Sequence, residues 1–361
     1  MRSEIWVRAI VGGAVLTSVA ANASAQSSVV IYGQVEQSIA RVSADTAAKT
    51  QITQVNPSSS GSSLIGFRGS EEFGADLSAI FALEAAMAPD TGIVGSASAA
   101  SGTNPAANSF FNRLSYVGLS SKQLGTVKLG RGFTPTIQTL INANVIRPNY
   151  NTGLTTTIAS QGLGNDFYNS NMIRYESPTF AGLSMQAHVS AGEVSIGGKG
   201  GDSYGIAGKY VQSFLTFTGA HHVAKDQAAN QVRWNTATVA AEFGAARFTA
   251  GFNRVHVPAT LESAAPSTYR DSRMRLLGAA YRVSDPLTLS AQYSDVKYTA
   301  SGSSSQQRVF SANYALSRRT SIYLLAASVS SGAVGIAAIN GFAAFPNVSA
   351  KAYALGVNHS F

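Results

Sequence analysis

Residues 287–294 read Leu287-Thr288-Leu289-Ser290-Ala291-Gln292-Tyr293-Ser294. Leu287, Leu289, Ala291 and Tyr293 fall on one face of an extended chain, and Thr288, Ser290, Gln292 and Ser294 on the other. A period of two, apolar against polar, marks a strand that meets different surroundings on its two faces. The chain ends in the same way: Tyr353, Leu355, Val357 and Phe361 oppose Ala352, Ala354, Gly356, Asn358 and Ser360. Around 236–243, Ala237, Val239, Ala241 and Phe243 oppose Thr236, Thr238, Ala240 and Glu242. Working outward from these stretches predicts sixteen strands, near 29–42, 63–70, 77–87, 110–120, 125–132, 170–177, 183–191, 203–212, 214–223, 233–243, 246–257, 272–283, 287–298, 307–317, 321–330 and 350–361. The stretch 321–330 alternates poorly.

The connections alternate in length. Links after even-numbered strands are short, as at Ser177 to Gly182, Phe243 to Ala245, Ser284 to Pro286 and Ser317 to Thr320. Links after odd-numbered strands include the long, Ser-, Gly- and Asn-rich segments 43–62, 88–109, 133–169, 192–202, 258–271 and 331–349. Long loops on one side and short turns on the other describe an antiparallel, up-and-down transmembrane β-barrel with extracellular loops and periplasmic turns. Closure is required in lipid, where an open sheet edge would leave a row of backbone groups unpaired. Sixteen strands leave room for an aqueous channel, whereas about eight would be filled by side chains. Tyr210, Tyr281, Tyr314, Tyr353 and Phe361 fit aromatic girdles at the two membrane interfaces.

Composition agrees. Charged residues make up 12% of the 361, about half the level of soluble domains, and glycine numbers 34. No stretch of 18 apolar residues occurs, which argues against a helical membrane protein. The absence of cysteine rules out a disulfide framework and thiolate chemistry. Residues 1–25 read as a secretory signal peptide: Arg2 and Arg8 precede a short apolar run, Ala9 to Val19, and Ala23-Ser24-Ala25 is a cleavage site. On that reading a single barrel domain spans 26–361. Losing Arg2, Arg8 and Glu4 lowers the formal charge of +8 by one. No Lys/Arg block suggests a nucleic-acid partner.

An ordered series of motifs then carries a resemblance. The chain has Ser28-Val29-Val30-Ile31-Tyr32-Gly33, then Gly66-Phe67-Arg68-Gly69-Ser70-Glu71-Glu72-Phe73-Gly74. Phe111-Asn112-Arg113, Val117-Gly118-Leu119 and Leu129-Gly130-Arg131 follow, with Arg174-Tyr175, Ser177-Pro178 and Ala181-Gly182 after them. Tyr314-Ala315-Leu316-Ser317-Arg318-Arg319-Thr320 and a terminal Phe361 complete the set. Over nearly all of the mature chain this resembles the trimeric general porins of Gram-negative, especially β-proteobacterial, bacteria. The resemblance implies a homotrimer in the outer membrane, in contact with its lipid and lipopolysaccharide, that passes ions and small hydrophilic solutes by passive diffusion. It implies a third long loop, about 133–169, folded into the lumen, and a terminal aromatic, Phe361, read by the barrel assembly machinery. It implies no cofactor. Two departures reduce lumenal basic charge: Leu64 stands where the family often has arginine, and the end Gly356-Val357-Asn358-His359-Ser360-Phe361 lacks the common arginines.

Selectivity in such a channel comes from charges at a constriction. Strand parity turns Arg68 inward if Ile65 and Phe67 face lipid. It turns Arg174 and Glu176 inward opposite Ile173 and Tyr175, and Lys128 inward opposite Val127 and Leu129. Placing Leu114 and Tyr116 outward turns Arg113 inward. Glu36 and Glu84 point in, against Ile31, Val35, Phe81 and Leu83. The inner loop has no acid from Phe133 to Asn165 and one arginine, Arg147; Asp166 follows. The constriction candidates are therefore Arg68, Arg113, Arg174, Lys128, Glu36, Glu84 and Asp166, and they predict a weak to moderate anion preference. The alternative role for the arginines is pairing with Glu36, Glu84 or Glu176.

Other signals carry less. Gly198-Lys199-Gly200 lacks the spacing of a phosphate loop. His221 and His222 point to opposite faces of a strand, and no metal-ligand set accompanies them. Glu71 and Glu72 sit in a turn. No Ser/His/Asp arrangement or nucleophile elbow stands out, so no catalytic residue and no enzyme activity is expected. A solute-specific channel, an outer-membrane barrel enzyme and a surface adhesin or soluble β protein remain as alternatives.

Overall fold

A computed structural model describes residues 28–46, 50–56, 62–74, 76–94, 109–146, 161, 167–192, 201–226, 228–264, 270–332 and 347–361. The proposed signal segment, Arg147 and Asp166 lie outside them. The strands are β1 Ser28–Ala44, β2 Gln51–Asn56, β3 Leu64–Glu72, β4 Leu77–Ala88, β5 Ile93–Val94, β6 Leu114–Ser121, β7 Gly125–Phe133, β8 Tyr168–Glu176, β9 Leu183–Ser190 and β10 Ser203–Gln212. They continue as β11 Leu215–Lys225, β12 Gln231–Phe243, β13 Ala246–His256, β14 Ser272–Arg282, β15 Leu287–Tyr298, β16 Ser304–Ala315, β17 Thr320–Ser331 and β18 Ser349–Ser360. Among the described residues two helices interrupt them, α1 Pro135–Ala143 and α2 Ala259–Ala264.

Every wall pairing is antiparallel between chain neighbours, and β18 closes the ring on β1 from Gln34↔Ser360 to Ala44↔Ala350. The seam is extended by Phe361, whose N–H donates to the Gly33 carbonyl at 3.0 Å. The wall is the expected closed sixteen-stranded barrel, with two extra segments accounting for the eighteen strands of the sheet. β5 is a two-residue return beside β4. β2 corrects the expected loop at 43–62. It pairs with the upper part of β1, Ser38↔Asn56, while β3 pairs with the lower part, Gln34↔Leu64. Together they form one wall strand interrupted between Asn56 and Leu64. The interruption is tied down by Ser63, whose Oγ accepts from the Glu36 N–H at 2.8 Å.

Exposure shows why these residues build a barrel. The outward residues are large, apolar and exposed: Ile39, Val117, Leu129, Ile173, Phe248, Leu277, Phe310, Leu324 and Leu355 all stand against the surroundings. In water such a surface would be untenable, and in hydrocarbon it is the favoured one. The girdle aromatics Tyr210, Tyr281, Tyr314, Tyr353 and Phe361 are all on this outer surface.

The inward face departs from a simple polar lining. On β12–β18 it carries Trp234, Val255, Met274, Leu276, Val296, Val309, Tyr323 and Leu325, all buried. The third long loop explains them, because it folds into the lumen and covers them. Ile137, Leu140 and Ala143 of α1 pack on Trp234, Val255, Met274 and Leu276. Val145 and Ile146 continue to Val309, Tyr323 and Leu325, and to Ala40 and Val42 of β1. This double-faced apolarity is also why 321–330 alternates poorly: Leu324 meets lipid, and its neighbour Leu325 meets the loop.

Candidate pore constriction

Helix α1 starts where its sequence says a helix can start. Thr134 caps it, its hydroxyl accepting from the Ile137 N–H at 3.4 Å, and Pro135 takes the first position, where no N–H is needed. Apolar residues at 137, 140 and 141 are spaced for one side of a helix. The wall also holds the loop by hydrogen bonds. Thr249 Oγ1 donates to the Ala143 carbonyl at 2.6 Å, Arg247 to the Asn142 carbonyl at 2.8 Å, and the Val145 N–H to Gln292 Oε1 at 3.3 Å. The far end is held through Gln161, whose amide oxygen accepts from Asn253 at 2.8 Å. The loop thus leans on β10–β18 and β1, and the charges of β3–β8 lie along the rest of the wall.

Those charges form a chain of contacts along the wall. Arg68 on β3 is exposed and lies over the Tyr32 ring, 5.0 Å from its centre. The Tyr32 hydroxyl donates to Glu84 at 2.9 Å, and Glu84 forms a buried ion pair with Arg113. Arg113 lies over the rings of Phe133 and Tyr168, at 5.6 and 5.8 Å. On the next strands Lys128 pairs with Glu176 at 2.7 Å, and Arg174 approaches Glu176 at 3.8 Å while donating to the Phe133 carbonyl. Tyr116 stands between the groups, within electrostatic reach of Arg68, Glu84, Arg174 and Glu176 and under Lys128. Glu36 lies apart from this chain: it is fully buried and accepts the Tyr323 hydroxyl.

The inward orientation of Arg68, Lys128, Arg174, Glu36 and Glu84 agrees with strand parity. Arg113 faces inward for a different reason from the one expected. Tyr116 is itself an inward residue, opposite Ala82, and Val117 and Leu119 are the outward, exposed ones. The strand begins only at Leu114, so parity counted back to Arg113 crossed a segment that is not a strand. Arg113 turns in because its side chain pairs with Glu84.

Arg131 was missed as a site residue for a related reason. Parity with Val127 and Leu129 would turn it outward, yet it is 9% exposed, donating to the Asn112 carbonyl at 2.9 Å and to Ser170 Oγ at 2.8 Å, over Tyr168. Between Gly130↔Met172 and Gly132↔Asn169 the register slips, with Ser170 and Asn171 opposite Arg131. Asn171 takes a positive φ of 54°. A bulge of this kind re-aims side chains. The only sequence hint is that Gly130 and Gly132 flank Arg131, with an asparagine, Asn171, on the partner strand.

Lys209, on β10, is a second omission. It is exposed and, with Gln138, Asn142, Glu176 and Gln186, lines a cavity of ≈ 500 Å³ beneath α1. Among the described residues, Arg68 and Lys209 have no carboxylate within ion-pair distance. His222 is inward and stacks on Trp234, while His221 faces outward toward Asn235, as their adjacency requires.

A sequence model of the Gram-negative porin family matches residues 12–333. This chain belongs to that family. It is 35% identical over 168 residues to outer membrane porin protein 32 of Delftia acidovorans, covering 45% of this chain and 43% of that one. It is 27% identical over 201 residues to major outer membrane protein P.IB of Neisseria gonorrhoeae, covering 55% of this chain and 52% of that one. The matched part therefore spans about half the length of these relatives. The fold matches the anion-selective porin from Comamonas acidovorans with a TM-score of 0.76 at 22% identity, over 93% of this chain and 100% of that one. It also matches OmpT of Vibrio cholerae with a TM-score of 0.65 at 14% identity, over 93% and 98%. Porin family and closed barrel together place the chain in the outer membrane.

Proposed function

We propose that this porin forms a water-filled channel for passive diffusion of ions and small hydrophilic solutes, with a weak to moderate preference for anions. The observation that carries the preference is the pair of exposed lumenal cations, Arg68 and Lys209. Of the other wall charges, Arg113 cancels Glu84, while Lys128 and Arg174 share Glu176 and leave one positive charge over, held at the partly covered Glu176. A charge paired and buried contributes little to a passing ion, whereas an exposed unpaired one contributes about 1 kcal/mol at ~4 Å in water-like dielectric. This moves the selectivity role away from Arg113 and Arg174, which act as supports, and toward Arg68 and Lys209. The anion selectivity of the similar Comamonas porin supports the sign.

The remaining parts of the reading are a cleavable export signal at 1–25, a homotrimer and recognition of Phe361 by the assembly machinery. A trimer form is described for Vibrio OmpT, which supports the second. Single-channel recording in planar bilayers tests the whole. Ohmic conductance, an anion-selective reversal potential in a salt gradient and closure in three equal steps are expected. A cation-selective potential would overturn the preference, and absence of conductance by the folded barrel would overturn the channel.

A further inference from the structure

Beside β9–β11 the inner loop is polar, although most of its seat is apolar. Gln138 and Asn142 stand one turn apart on α1, so their side chains share one side of the helix. Both line the cavity of ≈ 500 Å³ between this side and the wall. Each has one end of its amide, Gln138 Oε1 and Asn142 Nδ2, buried without a hydrogen-bond partner among the described residues. A buried amide atom in that state costs about 1–3 kcal/mol. Each side chain therefore gains by turning to a partner that enters the cavity.

The wall supplies the other groups. Gln186 of β9 faces Ala207, and one inward rank below them Lys209 of β10 stands between Ser184 and Thr218. Lys209 is exposed and has no carboxylate within ion-pair distance among the described residues. Glu176 also lines the cavity, but Lys128 holds it at 2.7 Å and Arg174 approaches it at 3.8 Å. It stands two strands and one inward rank from Lys209, roughly 10 Å away. An anion on Lys209 therefore meets little repulsion from it. Ile141 and Met185 add apolar surface.

One rank above Ala207 the cavity ends, because α1 seats on the wall there. A Cβ at Gly205 would meet Pro135 and His188, each at 3.1 Å, and His188 and His222 are buried on either side. At the other end the lining runs to Ser177 and Thr179, in the short turn after β8. The cavity is thus a blind pocket beside the conduction path, and its volume falls within the roughly 300–1,000 Å³ of small-molecule sites. Its chemistry is specific. A side-chain amide offers both a donor and an acceptor, as a secondary amide does, and an unpaired ammonium complements a carboxylate.

We propose that this pocket is a binding site for small N-acylated amino acids. Lys209 takes the carboxylate, the amides of Gln138, Asn142 and Gln186 take the acyl-amide group, and Ile141 and Met185 take the short apolar parts. A plain carboxylate makes only the first of these contacts. The proposal rests on the channel reading for the solute's route to the pocket. The test uses the full barrel in detergent, with N-acetylalanine, N-acetylalanine amide and propionate as probes. Saturable binding is read by ligand-observed NMR, folding of each variant by circular dichroism, and conductance separately in planar bilayers. N-acetylalanine is expected to bind saturably and several-fold more tightly than either propionate, which lacks the amide, or N-acetylalanine amide, which lacks the charge. Lys209→Gln is expected to weaken it roughly tenfold, the scale of a lost hydrogen bond to a charged group. Gln138→Leu and Gln186→Leu should each weaken it several-fold and bring its affinity toward that of propionate. Equal affinity for propionate would overturn the solute class. Binding unmoved by Lys209→Gln and Gln186→Leu alike would overturn the site. A conducting barrel without saturable binding would overturn the proposal and leave the channel reading intact, whereas binding by a barrel that does not conduct would strike the channel reading alone.

Discussion

Glu84 of β4 and Arg113, one residue ahead of β6, form an ion pair whose side chains are only 7% and 8% exposed. The Tyr32 hydroxyl holds the second carboxylate oxygen, and the Phe133 ring lies against the guanidinium. Removing one partner of such a pair leaves an uncompensated charge, at a cost of about 3–5 kcal/mol. Arg113→Ala and Glu84→Gln are each expected to lower the thermal stability of the folded barrel. The double variant is expected to be less damaged than the sum of the two, which heat-induced unfolding in detergent, run as a double-mutant cycle, would measure.

Arg68 lies over an aromatic ring and is otherwise exposed, so its removal costs the fold little. Arg68→Ala is expected to reduce the anion-to-cation permeability ratio several-fold, the scale set by ~1 kcal/mol per exposed charge. Lys209→Ala should act in the same direction, and Arg68→Glu should reverse the preference. Reversal potentials report all three. A ratio unmoved by both alanine variants would return the selectivity role to the paired charges.

The extracellular rim has a pH response of definite sign. Burial pushes the Asp271 carboxyl up, but hydrogen bonds from Thr299, Arg254 and the Val257 N–H, with the Arg254 charge, outweigh it and hold it below its ordinary value. Arg254 lies 2.6 Å away and His256 2.9 Å. A lowered folded value means the carboxylate stabilises the rim above the unfolded value of ~4 and ceases to do so as pH falls through the folded one. Proteolysis between β13 and β14 is therefore expected to be slow at neutral pH and to accelerate only below about pH 4. Asp271→Asn should show the fast rate at every pH.

The seat of the inner loop depends on a missing side chain. A Cβ at Gly278 would come within 2.6 Å of Thr249 Oγ1 and 2.8 Å of Val145 Cγ2. Gly278→Leu is expected to lift the loop at Val145 by overpacking, at about 1–3 kcal/mol, without breaking a wall hydrogen bond. Single-channel current should become noisier and its mean should shift. A silent trace would show that the loop is held by α1 alone.

The wall was legible in the sequence wherever its two faces meet different media. Leu289 against Ser290 and Val127 against Lys128 give clean parity because one side is lipid and the other is solvated. Legibility failed where a third surface intervened. Leu325 and Trp234 are inward residues that are apolar for the loop's sake, so alternation is lost beside them, at Leu324-Leu325 above all. Parity also assumes an unbroken strand. The start of β6 at Leu114 and the bulge at Asn171 each violated that assumption, misdirecting Tyr116 and hiding Arg131. Gln51–Asn56 reads as part of the long link 43–62, because Ile52 and Val55 are spaced by three and show no alternation, although the segment pairs regularly with β1.

The path of the inner loop has a mechanical consequence. A ring of hydrogen-bonded strands can be squeezed into an ellipse at little cost, because a change in the angle between neighbouring strands breaks no pair. Here α1 is fixed to β12–β14, and Val145 and Ile146 are fixed to the arc from β16 to β1. The loop is thus a strut bonded to two arcs of the hoop, and flattening the barrel would require peeling one end of it from apolar contacts. The bore is then set by architecture and holds its shape under lateral membrane pressure.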